Sequence, residues 1–293
     1  SERKRQSMDF EVRPLKPNIG VEIRGVDLSE PLSDETVAKI RKIWVDHVIA
    51  VFPNQKVNDD QHIEFSKRLG ELEIINMSAL QVKGRPEIYE ATNLDADNNI
   101  MVDDHPVLTI NRGNQKWHSD SSFKQVPAMA SMLNAYIVPE KGGETEFANM
   151  AAAYDELDQA TKECCEGLIA IHDFYWSRRD INEKAFTQQE RDAIPPVRHP
   201  LIRVHPETGR KAIYVGSHTR EIEGWDIKKS RALIDKLIDH GTQAKFTYQH
   251  KWNVGDMVLW DNRSALHRGM AFDDQKVKRR LHRTTVAGAS STS

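Results

Sequence analysis

Cysteine is scarce in this chain. Among its 293 residues only Cys164 and Cys165 are cysteines, and they are adjacent. Neighbouring cysteines rarely form a disulfide with each other, and two cysteines cannot build the disulfide framework of a small secreted domain. The charged N-terminal stretch SERKRQSMDF is not followed by an apolar stretch, so it does not resemble a secretory signal. Both absences favour a cytoplasmic protein, and residues 1–7 are expected to be an extension ahead of Met8.

Long apolar runs and an excess of charge of one sign are also absent. No run approaches the roughly 18 apolar residues that would indicate a membrane span. The 41 basic and 44 acidic residues give a formal net charge of -3, which provides no general attraction to nucleic acid or to anionic lipid. We therefore predict neither nucleic acid nor a membrane as a partner.

The chain has no internal repeat, no low-complexity tract and no linker rich in proline, glycine or serine. A glycine-rich phosphate loop and an HExxH motif are also missing, which excludes the common nucleotide enzymes and the zincin proteases. A chain of this length buries about three-quarters of its unfolded surface, which is enough for a substantial core. A single domain spanning residues 1–293 is predicted, with the polar residues 172–196 as a lid-like insertion.

Hydrophobic periodicity predicts many strands and a few helices. Ser33 is expected to cap a first helix, and Asn58 with Gln61 a second one that ends at Gly70. Further helices are expected at 149–170 and 226–240, and strands at 48–52, 131–138, 201–205, 211–216, 245–252, 255–261 and 279–288. Antiparallel strands with flanking helices indicate a mainly β (α+β) fold with a jelly-roll core, that is, a double-stranded β-helix.

The stretch NQKWHSDSSF carries the first candidate site. In an extended segment, residues two apart point the same way, so His118 and Asp120 could face one metal ion. A third ligand would come from a distant histidine near a strand end, and His267 follows the apolar run MVLW. Two histidines and one carboxylate hold non-haem Fe(II) and leave coordination positions open. A similar trio occurs in zinc hydrolases, and His-X-Asp also arises by chance in polar turns.

Two arginines follow the third candidate ligand. Arg279 and Arg283 lie four apart in KVKRRLHRTT, so in a strand both side chains project to the same side. A buried arginine needs a carboxylate or phosphate partner, and this strand has no acidic residue nearby, so a ligand carboxylate is one candidate. The other interpretation is an exposed basic edge strand, because Lys276, Lys278 and Arg280 are neighbours.

In these residues the chain resembles the Fe(II)/2-oxoglutarate dioxygenases of the taurine dioxygenase group, especially their 2,4-dichlorophenoxyacetate dioxygenase branch. The resemblance extends over most of the chain, through the ordered blocks VEIRGVDLSEPLSDE, NQKWHSDSSF, VPEKGGETEFANMAAAYDEL, AIPPVRHPLIRVHPETGRKAIYVGSH, YQHKWNVGDMVLWDNRSALHRG and RRLHRTT. Each block alone is a weak signal. Together, with the His118, Asp120 and His267 triad inside them, they are specific.

The resemblance implies a role for each matching position. His118, Asp120 and His267 match the iron ligands, and Fe(II), 2-oxoglutarate and dioxygen are the implied cofactor and cosubstrates. Thr145 in GGETEF matches the threonine whose hydroxyl holds the distal carboxylate of 2-oxoglutarate. Arg279 matches the arginine that forms a bidentate pair with the same carboxylate.

The resemblance also implies a substrate side. Arg283 matches the second arginine, which binds the anionic group of the substrate near the iron, and Asn114 and Trp117 match positions lining that side. Without the resemblance, Thr145 would be interpreted as a turn residue and Trp117 as a core residue. Dimers and tetramers are usual in this family, so a homo-oligomer is expected.

The chain departs from the family pattern in two places. The taurine enzymes carry a histidine-rich stretch that contributes a sulfonate ligand, whereas this chain has GELEIINMSAL there, with Ile74 or Ile75 near the corresponding place. An apolar side chain cannot donate to a sulfonate, but it can wall a pocket for an aromatic or aliphatic body. The loop after His267 is one residue longer than in the relatives, so the arginine alignment depends on RRLHRTT.

The expected reaction is hydroxylation of a small carboxylate substrate with an apolar or aromatic body, coupled to decarboxylation of 2-oxoglutarate to succinate and CO2. If the hydroxylated carbon bears an ether oxygen, the product falls apart, so an aryloxyalkanoate would yield a phenol and an oxo acid. The alternatives are hydroxylation without cleavage, action on taurine, an alkyl sulfonate or a sulfate ester, a zinc-dependent hydrolase, and a barrel that binds a carboxylate without catalysis.

Overall fold

The computed structural model describes residues 10–180 and 186–289. Its strands are β1 (Glu11–Lys16), β2 (Ile19–Arg24), β3 (Ile49–Phe52), β4 (Gln81–Val82), β5 (Arg85–Thr92), β6 (Ala130–Ile137), β7 (Thr145–Asn149), β8 (Ile169–His172), β9 (Val197–Pro200), β10 (Ile202–Val204), β11 (Lys211–Ile213), β12 (Thr219–Ile222), β13 (Thr247–His250), β14 (Met257–Asp261), β15 (Ala265–Gly269) and β16 (Arg280–Val286). Its helices are α1 (Asp34–His47), α2 (Asp59–Lys67), α3 (Pro106–Arg112), α4 (Met150–Asp155), α5 (Gln159–Cys165), α6 (Phe174–Ser177), α7 (Gln188–Ala193) and α8 (Ile227–Gly241). The extension predicted at residues 1–7 lies outside the described residues.

A large sheet and a small sheet form the centre of the fold. The large sheet has eight strands in the order β1-β2-β3-β14-β6-β16-β5-β4, and all its pairs are antiparallel except β2 with β3. The small sheet has the order β13-β7-β15. The remaining described strands form the sheets β12-β8-β9 and β10-β11. The predicted mainly β fold with flanking helices is confirmed.

Strand β14 shows why the large sheet is apolar on both faces. Successive side chains of a strand point to opposite faces. Met257 and Leu259 pack in one cluster with Trp44 of α1, whereas Val258 and Trp260 pack in another that includes residues of the small sheet. Helices therefore cover one face of the large sheet, and the small sheet covers the other.

The first two helices begin where the sequence predicts. The Ser33 side chain accepts from the N–H three residues further on, and Asn58 and Gln61 form a reciprocal capping box. Helix α2 ends at Lys67, before the predicted end at Gly70, because its last turn tightens to bonds that span three residues. In the described part of the chain, no helix combines the length and apolar character that a membrane crossing requires.

The single helix predicted at 149–170 is wrong. The chain forms α4 and α5 there, turns at Gly167 with φ +73°, and continues as β8. The apolar run Leu168–Ile171 lies on consecutive positions, and such a run fits a helix or a strand equally well. The sequence also does not predict strands β7 and β15, which carry candidate site residues.

The predicted insertion at 172–196 is more ordered than its composition indicates. It starts at the last residue of β8 and contains α6 and α7, and residues 181–185 lie outside the described part. The aromatic rings of Phe174, Tyr175 and Phe186 contact one another with centroid distances of 5.0 to 6.3 Å. This segment therefore has its own small aromatic cluster.

The stretch around His118 extends the small sheet. His118 forms an isolated antiparallel bridge with His267 of β15, and the two N–H···O=C distances are 3.0 and 2.9 Å. Asp120 contacts Ser131 of β6 in the large sheet. The three predicted ligands therefore lie between the two sheets.

Candidate active site

The structure brings the three predicted metal ligands together. One ligand atom from each of His118, Asp120 and His267 lies within 4.8 Å of the others. The Nε2 atom of each histidine is 3.5 Å from Asp120 Oδ1. All three residues are buried. His118 and His267 are 149 positions apart in the sequence, and they converge because strand pairing places them side by side.

Backbone contacts orient the imidazoles. His118 Nδ1 lies 2.6 Å from the carbonyl oxygen of Lys116, so Nδ1 carries the proton and donates it. This leaves the lone pair of Nε2 directed towards Asp120, the tautomer that a metal ligand requires. Burial lowers the pKa of His267 to about 3, so this ring is neutral at pH 7.

The carboxylate of Asp120 is held by a hydrogen-bonded chain. Ser131 Oγ donates to Asp120 Oδ2 at 2.6 Å, and Asn262 Nδ2 donates to Ser131 Oγ at 2.9 Å. The Asn262 carbonyl accepts from the backbone N–H of Asp120 at 3.2 Å. Burial opposes ionisation of Asp120, but the charge of Arg283 and the contacts with His267 and His118 outweigh it and hold its pKa well below the usual value. Oδ2 is therefore occupied, and the ionised Oδ1 faces the histidines.

This donor set fits a divalent metal ion. Nε2 of each histidine lies 3.5 Å from Oδ1 of Asp120, so the three atoms can face a single cation. Two neutral imidazoles and one carboxylate are the ligands expected for non-haem Fe(II) with open coordination positions.

Thr145 and Arg279 lie on strand β7 and immediately before β16. Thr145 Oγ accepts a hydrogen bond from Trp252 Nε1 at 3.0 Å, which leaves the hydroxyl proton of Thr145 to donate. Arg279 is half-buried, Nη2 donates to the carbonyl of Gly143 at 2.9 Å, and the buried Nε has no partner among the described residues. Burial lowers the pKa of Arg279 to about 10, so the guanidinium is charged but poorly solvated. Both residues can donate to a carboxylate.

Two glycines make room for this arginine. Gly143 has φ +71°, and a Cβ atom built on it would lie 3.1 Å from Arg279 Nε. Gly142 has φ +77°, and a Cβ atom there would lie 2.6 Å from the carbonyl oxygen of Ala271. The sequence GGET therefore allows the chain to approach the guanidinium closely. Arg279 also lines a small cavity of about 70 Å³ together with Asn114.

A larger cavity of about 500 Å³ opens beside His118 and Asp120. Its apolar and aromatic lining includes Ile75, Leu80, Ile110, Phe123, Phe174 and Phe186. Of the two isoleucines considered from the sequence, Ile75 lines this cavity, whereas Ile74 is 53% exposed. The cavity can therefore accommodate an apolar body next to the candidate metal site.

Arg283 and Asn114 lie at the boundary between cavity and metal ligands. Arg283 Nη1 is 3.4 Å from Asp120 Oδ1, and its guanidinium lies over the ring of Tyr89 at 4.5 Å. Asn114 Nδ2 donates to Tyr89 Oη at 3.3 Å, and Asn114 lines both cavities. These positions agree with the substrate-side location predicted for both residues.

Trp117 lies elsewhere. Its ring packs against the core cluster beneath the outer face of the small sheet and lies 4.7 Å under the guanidinium of Arg268. It is not among the described residues that line the large cavity. The alternative interpretation of Trp117 as a packing residue therefore describes its environment better.

Sequence reasoning misses three polar residues of the site: Asn262, His218 and Arg178. Asn262 and His218 occur inside the blocks that carry the family resemblance, but nothing in the sequence indicates what they contact. His218 lines the cavity at 6.1 Å from the His118 ring, and burial lowers its pKa well below the usual value. Arg178 lines the same cavity from the 172–196 segment.

Comparisons with known proteins agree with this geometry. The family model described as taurine catabolism dioxygenase TauD, TfdA family matches residues 11–285. The chain is 38% identical to the alpha-ketoglutarate-dependent 2,4-dichlorophenoxyacetate dioxygenase of Cupriavidus pinatubonensis, over 95% of this chain and 98% of the relative. It is 34% identical to the (S)-phenoxypropionate/alpha-ketoglutarate-dioxygenase of Sphingobium herbicidovorans, over 95% of this chain and 95% of the relative.

A solved structure gives the same result. The crystal structure of AAD-2 in complex with Mn(II) and N-oxalylglycine superposes with a TM-score of 0.90 at 34% identity, over 97% of this chain and 99% of that chain. The predicted resemblance and jelly-roll core are thereby confirmed, and the dioxygenase class with its Fe(II) and 2-oxoglutarate is confirmed at the level of the family. The chain belongs to the taurine catabolism dioxygenase TauD, TfdA family.

Proposed function

We propose that this protein is an Fe(II)- and 2-oxoglutarate-dependent oxygenase that hydroxylates a carboxylate substrate with an apolar or aromatic body. An aryloxyalkanoate, cleaved to a phenol and an oxo acid, is the substrate class that we favour. The observation that carries this proposal is the buried triad of His118, Asp120 and His267, which opens onto an apolar cavity of about 500 Å³. The relatives named for 2,4-dichlorophenoxyacetate and phenoxypropionate support the same class.

In this proposal the triad holds the iron. When bound, the ferrous ion together with 2-oxoglutarate and dioxygen supplies the oxidising power, and 2-oxoglutarate leaves as succinate and CO2. The chain contributes position: the His118–His267 bridge fixes two ligands, and Ser131 with Asn262 fixes the carboxylate. The ligands are therefore arranged before the ion arrives, and binding needs little reorganisation.

The distal carboxylate of 2-oxoglutarate would bind to Arg279 and Thr145. The unpartnered Nε of Arg279 and the hydroxyl proton of Thr145 are the donors available for it. A buried N–H group of a guanidinium without a partner is unfavourable, and a ligand carboxylate would remove that penalty. This explains why a dicarboxylate cosubstrate suits the site.

The substrate would occupy the large cavity. Its apolar body would contact Ile75 and the aromatic rings, and Arg283 and Asn114 would orient its polar end near the triad. Hydroxylation of the carbon between the carboxylate and the ether oxygen gives a hemiacetal or hemiketal, which collapses to the phenol and the oxo acid. The same cavity shields the reacting atoms from water.

A substrate panel tests the proposal. The iron-loaded protein is incubated with 2-oxoglutarate and phenoxyacetate, each enantiomer of 2-phenoxypropionate, taurine or an alkyl sulfate, and succinate and phenol are measured. We expect phenol in amounts equal to the succinate that a phenoxyalkanoate elicits, and only background succinate from a His118→Ala variant. Succinate stimulated by taurine or the alkyl sulfate alone would show that the substrate class is wrong. Turnover without dioxygen and 2-oxoglutarate would instead indicate a zinc hydrolase.

We further propose a cytoplasmic homo-oligomer, a dimer or tetramer, that binds neither nucleic acid nor membranes. Cys164 and Cys165 are both free thiols, which agrees with a reducing compartment. We also propose that residues 172–196 close over the site, since several of them line the cavity. Light scattering during gel filtration tests the oligomeric state. Closure of residues 172–196 over the site predicts that iron, N-oxalylglycine and phenoxyacetate together slow tryptic cleavage after Arg191.

A further inference from the structure

A second guanidinium lines the large cavity. Arg178 follows helix α6 and is only 9% exposed. Its one hydrogen bond to another side chain within the described residues is a long contact from Nη1 to Ser177 Oγ, at 3.4 Å. No described carboxylate forms an ion pair with it, and burial lowers its pKa more than the interaction with Tyr89 raises it. A buried cation is usually accompanied by an anion, and none of the described acidic residues forms an ion pair with Arg178.

The surroundings of Arg178 hold its guanidinium in place. A Cβ atom on Gly113 would lie 2.9 Å from Arg178 Cζ, so the guanidinium rests directly on the glycine backbone. The ring of Phe174 lies 5.2 Å away on the cavity side. Lys116 Nζ donates to the carbonyl of Ser177 at 3.1 Å, which ties this segment to the stretch that carries His118. The cation is therefore fixed rather than free to reach solvent.

Arg283, the other guanidinium in the cavity, differs in this respect. Its Nη1 already lies 3.4 Å from the ionised Asp120, a candidate iron ligand, and its face is covered by Tyr89. Part of the charge of Arg283 is therefore already balanced by Asp120, whereas no described carboxylate lies in an ion pair with Arg178. Asp120 and Glu190 are the described acidic residues that line the cavity, and neither forms an ion pair with Arg178.

We infer that Arg178 is the residue that binds the carboxylate of the substrate, with the apolar body extending along the aromatic wall of the cavity. This inference rests on the proposed function and deepens it, because it names the group that selects an acid over a neutral molecule. Arg178 offers paired N–H groups that match a carboxylate. Burial lowers its pKa, and an anionic ligand would reverse that effect.

Direct binding tests the inference without relying on turnover. The protein is loaded with Mn(II) and N-oxalylglycine, and calorimetry measures the Kd of phenoxyacetate and of phenoxyethanol, its neutral counterpart. In Arg178→Met we expect the Kd of phenoxyacetate to rise at least about tenfold, and in Arg178→Lys by less. The Kd values of phenoxyethanol and N-oxalylglycine should stay within about twofold, a shift of a few tenths of a kcal/mol.

A neighbouring arginine provides the matched control. Arg179 is exposed, and its guanidinium stacks on Trp176 at 4.1 Å, away from the residues that line the cavity. Arg179→Met should leave the Kd of phenoxyacetate within about twofold of the wild type. If Arg178→Met and Arg179→Met have equal effects on phenoxyacetate, the inference about Arg178 is overturned and the proposed function stands.

Gly113→Ala tests the same point without removing a charge. Gly113 has helical dihedral angles, so alanine is tolerated by the backbone, but its methyl group would displace the Arg178 guanidinium. We expect weaker phenoxyacetate binding with an unchanged midpoint of thermal unfolding. If Arg178→Met fails to fold, Gly113→Ala and Arg178→Lys decide the question: normal phenoxyacetate affinity in both overturns the inference. A wild-type protein that binds no phenoxyalkanoate overturns the proposed function and the inference together.

Discussion

The two ends of the candidate site are built from different parts of the fold. His267 and Thr145 lie on strands of the small sheet, and Arg279 comes immediately before a strand of the large sheet. Backbone pairing joins His267 to His118. The substrate cavity, by contrast, takes much of its lining from short helices and loops, including Phe174 and Phe186. Side-chain contacts rather than strand pairing determine its shape.

This difference separates the chemistry from the choice of substrate. A strand residue cannot shift without breaking ladder hydrogen bonds, so His267 and Thr145 are held in register. A residue in a short helix or loop can be replaced at a smaller structural cost. Substitutions at the sheet end should therefore abolish or weaken the common reaction, whereas those at the cavity end should change which molecule is accepted.

The largest effect is expected at the triad. His118→Ala removes a metal ligand, so succinate formation should fall to the level of metal-free protein, and Mn(II) affinity should fall with it. Calorimetry and a succinate assay measure the two quantities. His47→Ala, at the exposed end of α1, is the control and should behave like the wild type. A His118→Ala protein with normal turnover would rule out the triad as the metal site.

The next effect is expected at the cosubstrate arginine. Arg279→Met should raise the KM for 2-oxoglutarate by about 10- to 100-fold, because charge-assisted hydrogen bonds to a carboxylate are lost. Arg280→Met is the matched control, since the side chain of Arg280 donates to Asn98 instead. Equal KM values in the two variants would contradict the role of Arg279.

A smaller effect is expected at Ser131, which contacts the candidate metal ligand Asp120 rather than the metal itself. Ser131→Ala leaves Asp120 in place but removes the donor to its Oδ2, so Mn(II) affinity should fall by about tenfold. Ser66→Ala removes an equally buried hydroxyl that pairs with Thr284 on the helix-covered side of the fold. That control should keep full Mn(II) affinity, and a loss in both variants would mean that general destabilisation is the cause.

At the cavity end the expected effect is confined to the substrate. Ile75→Ser should raise the KM for phenoxyacetate by about three- to tenfold through lost apolar contact, with an unchanged KM for 2-oxoglutarate. Ile74→Ser is the control, because Ile74 is 53% exposed. Steady-state kinetics of both variants show which of the two isoleucines faces the substrate. A larger effect in Ile74→Ser than in Ile75→Ser would contradict the placement of Ile75 in the cavity.

The smallest effect on turnover is expected at His62, which lies outside both ends. Burial lowers its pKa from 6.5 to about 4, so the unfolded chain binds a proton before the folded one does. The free energy of unfolding should therefore fall as the pH drops from 6.5 towards 4, by about 1.4 kcal/mol per pH unit for this residue. Urea unfolding at several pH values should show that the free energy of unfolding of His62→Gln depends less steeply on pH than that of the wild type. An equally steep dependence would contradict the lowered pKa of His62.

Much of the sheet end could be predicted from the sequence. Apolar runs such as MVLW indicate strands, and Ser33 and Asn58 mark helix starts that the structure reproduces. The spacing of two histidines and one aspartate indicates candidate metal ligands, and the resemblance supports them and adds the cosubstrate residues. Strand β7 is not predicted because the stretch TEFAN has polar residues at both ends, although the structure buries all five residues.

The cavity end could be predicted less well for a physical reason. Arg178 and His218 come from separate segments, and neither lies in a periodic pattern that reveals a shared face. Their proximity follows from how the 172–196 segment packs on the sheet, which is a tertiary property. An arginine in a polar stretch looks like a surface residue until the structure shows that it is buried.

The reciprocal backbone bridge between His118 and His267 has a consequence for the metal-free protein. The two peptide N–H groups that form it belong to the ligands themselves, so exchange of these amides with deuterium reports directly on opening of the metal site. Slow exchange at both positions without any ion would mean that one divalent metal can replace another by simple dialysis, with no refolding of the chain.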